Sequence, residues 1–141
     1  MTRHLLVPMD DSETARAALE HALAVFPNDE VTVIHVVDEL EAGYGGRPPV
    51  TDSGGADADE PEFLADVRDI AAEHDRRVDT AVVEGTSADA ILEYVRDNDV
   101  DGIVMGSEGR SGVSRMLLGS VAEAVTRQAS VPVTIVPSRS R

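Results

Sequence analysis

The 141-residue sequence contains no cysteine, no tryptophan and no lysine, and aromatic residues make up only 3% of it. Without thiols there is no disulfide, no thiolate nucleophile and no cysteine metal centre, and redox chemistry leaves the compartment open. Long apolar runs are also missing. The best of them, residues 31–37 and 102–105, fall far short of the roughly 20 residues a bilayer crossing needs. Met1-Thr2-Arg3-His4 leads directly into a strand-like apolar run, with no signal-peptide apolar region and no small-residue cleavage site, so a cytoplasmic location is expected.

Positive charge is scarce. Against 27 acidic residues stand 12 basic ones, all arginine, for a formal net charge of -15. Nucleic acid binding requires a basic stripe, which these scattered arginines do not form. The acids are spread along the chain instead of forming one block, which favours a solvated surface suited to concentrated salt over a polyanionic tail that binds a partner. Such an Asp-rich, lysine-free composition is similar to that of proteins from extreme halophiles. At roughly 1 M ionic strength the screening length is about 3 Å, so an anionic protein can still take an anionic ligand through contacts inside a site.

What remains is a regular alternation of short β-branched runs and helix-period segments, the pattern of a parallel sheet built from β-α units. Strands are predicted over His4 to Met9, Glu30 to Val37, Arg77 to Glu84, Asp101 to Gly106 and Pro132 to Val136. Helices are predicted from about Ser12 to Val25, Pro61 to His74, Ser87 to Arg96 and Ser120 to Gln128. In the first helix Ala15, Ala18, Leu19, Ala22 and Leu23 fall on one face and Glu13, Arg16 and Glu20 on the other. The whole chain, 1–141, reads as one domain. The segment at about 39–60, rich in glycine, proline and acids, cannot bury a core and reads as a flexible linker or, as the lesser alternative, a lid.

Ligands of open α/β sheets sit beyond the carboxyl ends of the strands. Three such ends carry marked residues: Pro8-Met9-Asp10, His35-Val36-Val37-Asp38 and Met105-Gly106-Ser107. The third opens a loop with the spacing Gly106-x2-Gly109-x9-Gly119-Ser120, followed by an apolar helix. Backbone N–H groups converge on phosphate oxygens where no Cβ intervenes and where positive φ is allowed, and a helix start adds free N–H groups and a positive dipole end. The loop therefore reads as a phosphate cradle. It is not a Walker A loop, since the Gly-Lys-Ser/Thr ending is absent. Ser120-Val-Ala-Glu123 equally fits a capping box, which would occupy Ser120 as a helix cap.

These segments, with Leu6-Val-Pro-Met-Asp-Asp-Ser-Glu13 at the start and Leu117-Leu-Gly-Ser-Val121 at the end of the loop, resemble the universal stress protein family, in its ATP-binding branch, over nearly the whole chain. The resemblance implies a three-layer, Rossmann-like α/β fold with an open five-stranded parallel sheet of order 3-2-1-4-5. It implies a homodimer, and bound ATP with Mg²⁺ or Mn²⁺. It further implies that Pro8, Met9 and Asp10 line the nucleotide crevice and that the Val36 backbone reads the adenine edge. Met105 and Gly106 would lie by the ribose, and Gly109, Gly119, Ser120 and Val121 would hold the phosphates. Glu108 stands where many relatives carry a non-acidic residue, and its carboxylate repels phosphate unless it points outward or meets a metal ion.

Asp10 can orient a ribose or a phosphate-bound cation, or cap the first helix, a task Asp11 or Ser12 can also perform. Arg110 and Arg115 are the cations of the loop and are as readily solvated as bound to phosphate. His35 reads better as a satisfied, half-buried strand residue than as a catalyst. No general base is evident, so the expectation is binding with at most slow hydrolysis, as a nucleotide-dependent regulator of stress response. An ATP-using enzyme of the adenylyl-transferring kind, and a dimeric scaffold that binds no nucleotide, are the alternatives. The apolar last strand, 131–136, is an edge expected to pair with its copy in the homodimer, or else to be covered within a monomer.

Overall fold

The computed structural model describes residues 2–10, 12–37, 62–107 and 119–137. In chain order these form β1 (His4–Pro8), α1 (Glu13–Val25), β2 (Glu30–Val37), α2 (Phe63–Glu73), β3 (Asp79–Glu84), α3 (Ser87–Asp97), β4 (Gly102–Gly106), α4 (Ser120–Gln128) and β5 (Val133–Val136). The strands make one parallel sheet of order β3-β2-β1-β4-β5. The second strand and the fourth helix have the predicted boundaries, and the other elements differ from theirs by at most two residues, at frayed ends where the ladder and the helical turn give out gradually. The segment at about 39–60 lies outside the described residues.

Burial explains why the central strands read as continuous apolar runs. Leu5, Leu6 and Val7 of β1 and Val31 through Ile34 of β2 are buried on both faces, as a parallel sheet covered by helices demands. One face packs against α1 and α2 through Leu5, Val7, Leu19, Leu23, Val33, Leu64 and Val67. The other packs against α3 and α4 through Leu6, Ile34, Ile91, Val95, Ile103 and Val125. The edge strands β3 and β5 contain no fully buried residue.

Helix α1 begins and ends on side chains from different parts of the chain. At its start Ser12 is the cap, its Oγ accepting from the Ala15 N–H at 3.1 Å. Its last turn carries no basic residue. Arg76 supplies the missing cation, donating from Nη1 to the carbonyls of Leu23 at 3.0 Å and Phe26 at 3.4 Å and from Nη2 to the Asp29 carbonyl. Arg76 is aimed there by the end of α2. Asp75, at φ 57°, turns the chain left-handed, and the N–H groups of Arg76 and Asp75 donate back to Ala71 and Ala72 at 2.9 Å each. Asp29 is buried and lies against Arg3, whose Nη2 is 2.9 Å from its Oδ2 and whose main-chain N–H donates to its Oδ1 at 3.2 Å.

Arg76→Ala strips a charged donor from three carbonyls that are part-buried, and is expected to cost about 1.5–3 kcal/mol. Urea unfolding in a fixed salt concentration measures it. Arg76→Lys should recover less than half, because one ammonium cannot span acceptors that the guanidinium fork reaches together. Equal stability of the alanine and arginine proteins would show that water satisfies those carbonyls equally well.

Candidate functional site

The chain reverses its direction of travel across the sheet at β1, whose neighbours are β2 and β4. A cavity of about 250 Å³ opens there, at the carboxyl ends of these three strands. Its wall includes Pro8, Met9 and Asp10 after β1, Ile34 and Val36 of β2, Met105 and Gly106 at the end of β4, and Gly119 through Ala122 at the start of α4. Ser12 and Ala15 enter from α1, and Ser87 and Ile91 from the first turns of α3. The structure thus gathers Pro8, Met9, Asp10, Val36, Met105, Gly106, Gly119, Ser120 and Val121 around one space. Gly109, together with Glu108, Arg110, Gly112 and Arg115, lies outside the described residues.

Sequence reasoning did not single out Ala15, Ile34, Ser87, Ile91 or Ala122 as wall residues, and saw Ser12 only as a cap. The alanines and isoleucines carry no chemical mark. Ser87 opens a helix just after a strand, and could have been found had the position of α3 over β2 been legible.

β2 brings Ile34 and Val36 to the wall. Residues of a parallel strand point both their N–H and C=O to one side, alternating along the strand. The Ile34 carbonyl accepts from the Met9 N–H at 2.8 Å, on the β1 side, while the Val37 carbonyl accepts from Gly85 N–H at 3.0 Å, on the β3 side. Val36 is in phase with Ile34, so its N–H and C=O point toward β1. But β1 ends at Pro8, which pairs with Ile34. Among the described residues beyond the end of β1, no backbone group takes the Val36 donor or acceptor, and Val36 lies in the cavity wall.

At the opposite side the wall is a helix start. The N-cap of α4 is Gly119, at φ -64° and ψ 161°, and Ser120 is the first helical residue. The capping box expected from the sequence is therefore not formed. Gly119 has no side chain to cap with, and the Glu123 carboxylate accepts from Arg127 Nη2 at 3.1 Å instead of reaching back. The first intrahelical bond runs from Glu123 N–H to the Gly119 carbonyl at 2.9 Å, which leaves the N–H groups of Ser120, Val121 and Ala122 without an acceptor in the helix. Gly119 is itself anchored, its N–H donating to the Ser107 carbonyl at 2.7 Å while Ser107 N–H donates to Val136 at 2.9 Å.

The reason for glycine at 106 differs from the expected one. Neither Gly106 nor Gly119 has a positive φ; among the described residues Gly85 is the glycine that does, at 143°. At Gly106 the constraint is close approach. A Cβ there would stand 2.4 Å from Thr14 Oγ1 and 2.7 Å from both the carbonyl carbon and Cβ of Thr14. The end of β4 and the first turn of α1 share space that only a hydrogen can occupy.

Asp10 accepts the Ser12 N–H on Oδ1 at 3.0 Å, a local turn bond that precedes the helix. That bond uses one of the several acceptor sites of the carboxylate, and Asp10 lines the cavity. Asp10 is also the one titratable side chain in the described wall. His35 has the structural role expected of it. Its Nδ1 donates to the Met9 carbonyl at 2.8 Å, which places the proton of the neutral ring on Nδ1, and its ring meets Phe63 edge-on at 4.9 Å. Tyr94 and His4 belong to the other end of the strands. His4 Nε2 lies 2.8 Å from Thr32 Oγ1. Burial, helped by the charge of Asp79 and opposed by a hydrogen bond with Thr32, raises the Tyr94 phenol above its ordinary value. Among the described residues no three acidic or histidine side chains cluster as a metal site, and no helix is long and apolar enough to cross a membrane.

The family model described as the universal stress protein family matches residues 1–137. A universal stress protein of Methanocaldococcus jannaschii, MJ0531, is 33% identical over 140 residues, covering 95% of this chain and 81% of that protein. The solved structure of MJ0577 from the same organism superposes with a TM-score of 0.77 at 30% identity, over 100% of this chain and 99% of the other. A universal stress protein solved in complex with cAMP has the same fold, with a TM-score of 0.68 at 22% identity over 97% and 98% of the two chains. With the family model spanning residues 1–137, a relative 33% identical over 95% of the chain and the same fold in the solved structures, the chain belongs to the universal stress protein family.

Proposed function

We propose that this protein binds ATP at the switch-point cavity and acts as a nucleotide-dependent regulator of stress response, turning ATP over slowly at most. One observation carries the reading: a single cavity is lined by Val36, whose main-chain donor and acceptor β1 does not cover, and by the start of α4 at Ser120, which has no side-chain cap. The first suits the polar edge of a base and the second suits phosphate oxygens. That a protein of the same fold is solved with cAMP, an adenine nucleotide, is in keeping with this. In this reading Pro8, Met9 and Asp10 flank the nucleoside, Met105 and Gly106 the ribose, and Gly109, Gly119, Ser120 and Val121 the phosphates. A Mg²⁺ or Mn²⁺ ion would arrive on the triphosphate and find in Asp10 a hard oxygen ligand suited to it. With no histidine or glutamate in the described wall, nothing there serves as a second acid or base.

The same reading takes residues 1–141 as one cytoplasmic, halophilic domain and pairs it as a homodimer through strand 131–136. In support, β5 is a sheet edge whose four residues are all half-buried and whose Val133 and Ile135 join the α3/α4 core.

Freshly purified protein, denatured in multimolar salt, is expected to release an adenine nucleotide near one per chain, and stripped protein to rebind ATP with Mg²⁺. Gly109→Val should lose that binding. Gel filtration in the same salt should give twice the chain mass. Absence of both carried and rebound nucleotide would leave the dimeric scaffold as the better account, whereas rapid release of phosphate or pyrophosphate would make the protein an ATP-using enzyme.

A further inference from the structure

The cavity has a wall that phosphate chemistry does not explain: Ser87 and Ile91, from the first two turns of α3. α3 packs on β2 and against α4, and it follows directly on the turn that ties Gly85 to the end of β2, so these two residues border the Val36 end of the cavity. Ile91 is 2% exposed and part of the core, and Ser87 is half-buried. The turn that delivers Ser87 is tightly specified. Gly85 adopts φ 143°, a conformation L side chains rarely reach, and its N–H is tied to the Val37 carbonyl at 3.0 Å. Ser87 is thereby fastened to the same strand end that presents Val36.

Resting on the ATP reading above, we infer that Ser87 is a wall residue on the base side of the nucleotide site, where its small side chain makes room for the base. If the uncapped start of α4 holds the phosphates, the nucleoside extends toward β2, and its base comes to lie between the Val36 main chain and the first turn of α3. Ile91 and Val36 offer apolar surface to the faces of a planar ring. Ser87 offers a side chain small enough to leave room for the ring and a hydroxyl able to donate or accept at its rim. The N-cap of α3 is Thr86, so Ser87 is the first helical residue and does not stand at the cap position.

The test separates base from phosphate with two ligands, adenosine and ATP, titrated against wild type, Ser87→Leu and Ser120→Ala in multimolar salt with Mg²⁺. Ser87→Leu, at a half-buried helix start where leucine is a good helix former, is expected to weaken adenosine and ATP by the same factor, about tenfold or more, because the added side chain fills space the base needs. Ser120→Ala is expected to weaken ATP and spare adenosine. Thermal unfolding of the ligand-free variants checks the fold, and Ser87→Ala, which adds no bulk, should retain most adenosine affinity if Ser87→Leu acts by filling the pocket. Ser87→Leu that weakens ATP but not adenosine would move Ser87 to the phosphate side, and one that changes neither would remove it from the site; either overturns the inference while ATP binding by wild type stands. If wild type binds neither ligand, the ATP reading itself falls.

Discussion

Gly106→Ala is expected to cost about 3 kcal/mol and to lower the melting temperature by about 10 °C, a large loss for one methyl group. The added Cβ would meet Thr14 at three atoms, at 2.4, 2.7 and 2.7 Å, and one of these is the main-chain carbonyl carbon. Thr14 is 2% exposed and stands in the first turn of α1, which is held by the Ser12 cap. The helix can relieve the clash only by moving away from β4 as a body. The double variant with Thr14→Ala tests the cause. It removes Oγ1 but leaves the Cβ and carbonyl carbon at 2.7 Å, so it should recover less than half of the loss. Because Ser12 and Ala15 of α1 share the cavity wall with Met105 and Gly106, ATP affinity should fall along with stability. A Gly106→Ala protein within about 0.5 kcal/mol of wild type, the range of an ordinary surface change, would mean that β4 and α1 are not locked at this distance.

A second large effect is expected in base selectivity. The N–H and C=O of Val36 form a fixed donor–acceptor pair on one side of the β2 main chain. Adenine carries an amino donor at position 6 and ring-nitrogen acceptors beside it, and can satisfy both groups. Guanine carries a carbonyl at position 6, which would face the Val36 carbonyl and leave an acceptor unpaired. ATP should therefore bind about 10- to 100-fold more tightly than GTP, the range of about 1–3 kcal/mol that a bidentate base contact contributes. ITP, with the same carbonyl at position 6 and no 2-amino group, should fall with GTP. Since the reading is by main chain, Val36→Ala should preserve the ratio even where it lowers affinity. Isothermal titration with the three nucleotides decides it, and equal affinity for ATP and ITP would remove Val36 as the reader.

The Val36 strand end and the Gly106 contact differ in how visible they are in the residues themselves. That Val36 sits at a strand end was legible from Val31 to Val37, an apolar run of the length of a buried strand. That β1 does not cover its N–H and C=O depends on β1 stopping at Pro8, two residues short, and no local pattern contains that stagger. Gly106 was legible as a special position, but for another reason. A glycine at a strand end suggests backbone freedom, whereas its partner Thr14 is 92 residues earlier and becomes a constraint only once α1 lies across β4. Ser120 shows the same limit. Its spacing to Glu123 fits a capping box, and the box is lost because Gly119, tied to Ser107, already stands at the cap.

What the sequence by itself determined is the set of elements and their layering: period-2 and period-3.6 apolar patterns act over a few residues, and burial of the central strands on two faces leaves a compositional trace in each of those strands. The absence of lysine and cysteine likewise settled which chemistries are closed to the chain. The tertiary structure alone decided the contacts between the Gly106 backbone and Thr14, between Arg76 and the end of α1, and between Ser87 and the cavity. Each joins residues far apart in the chain, and such contacts are set by sheet stagger and helix placement, quantities that depend on the whole packed core and on no single stretch of residues.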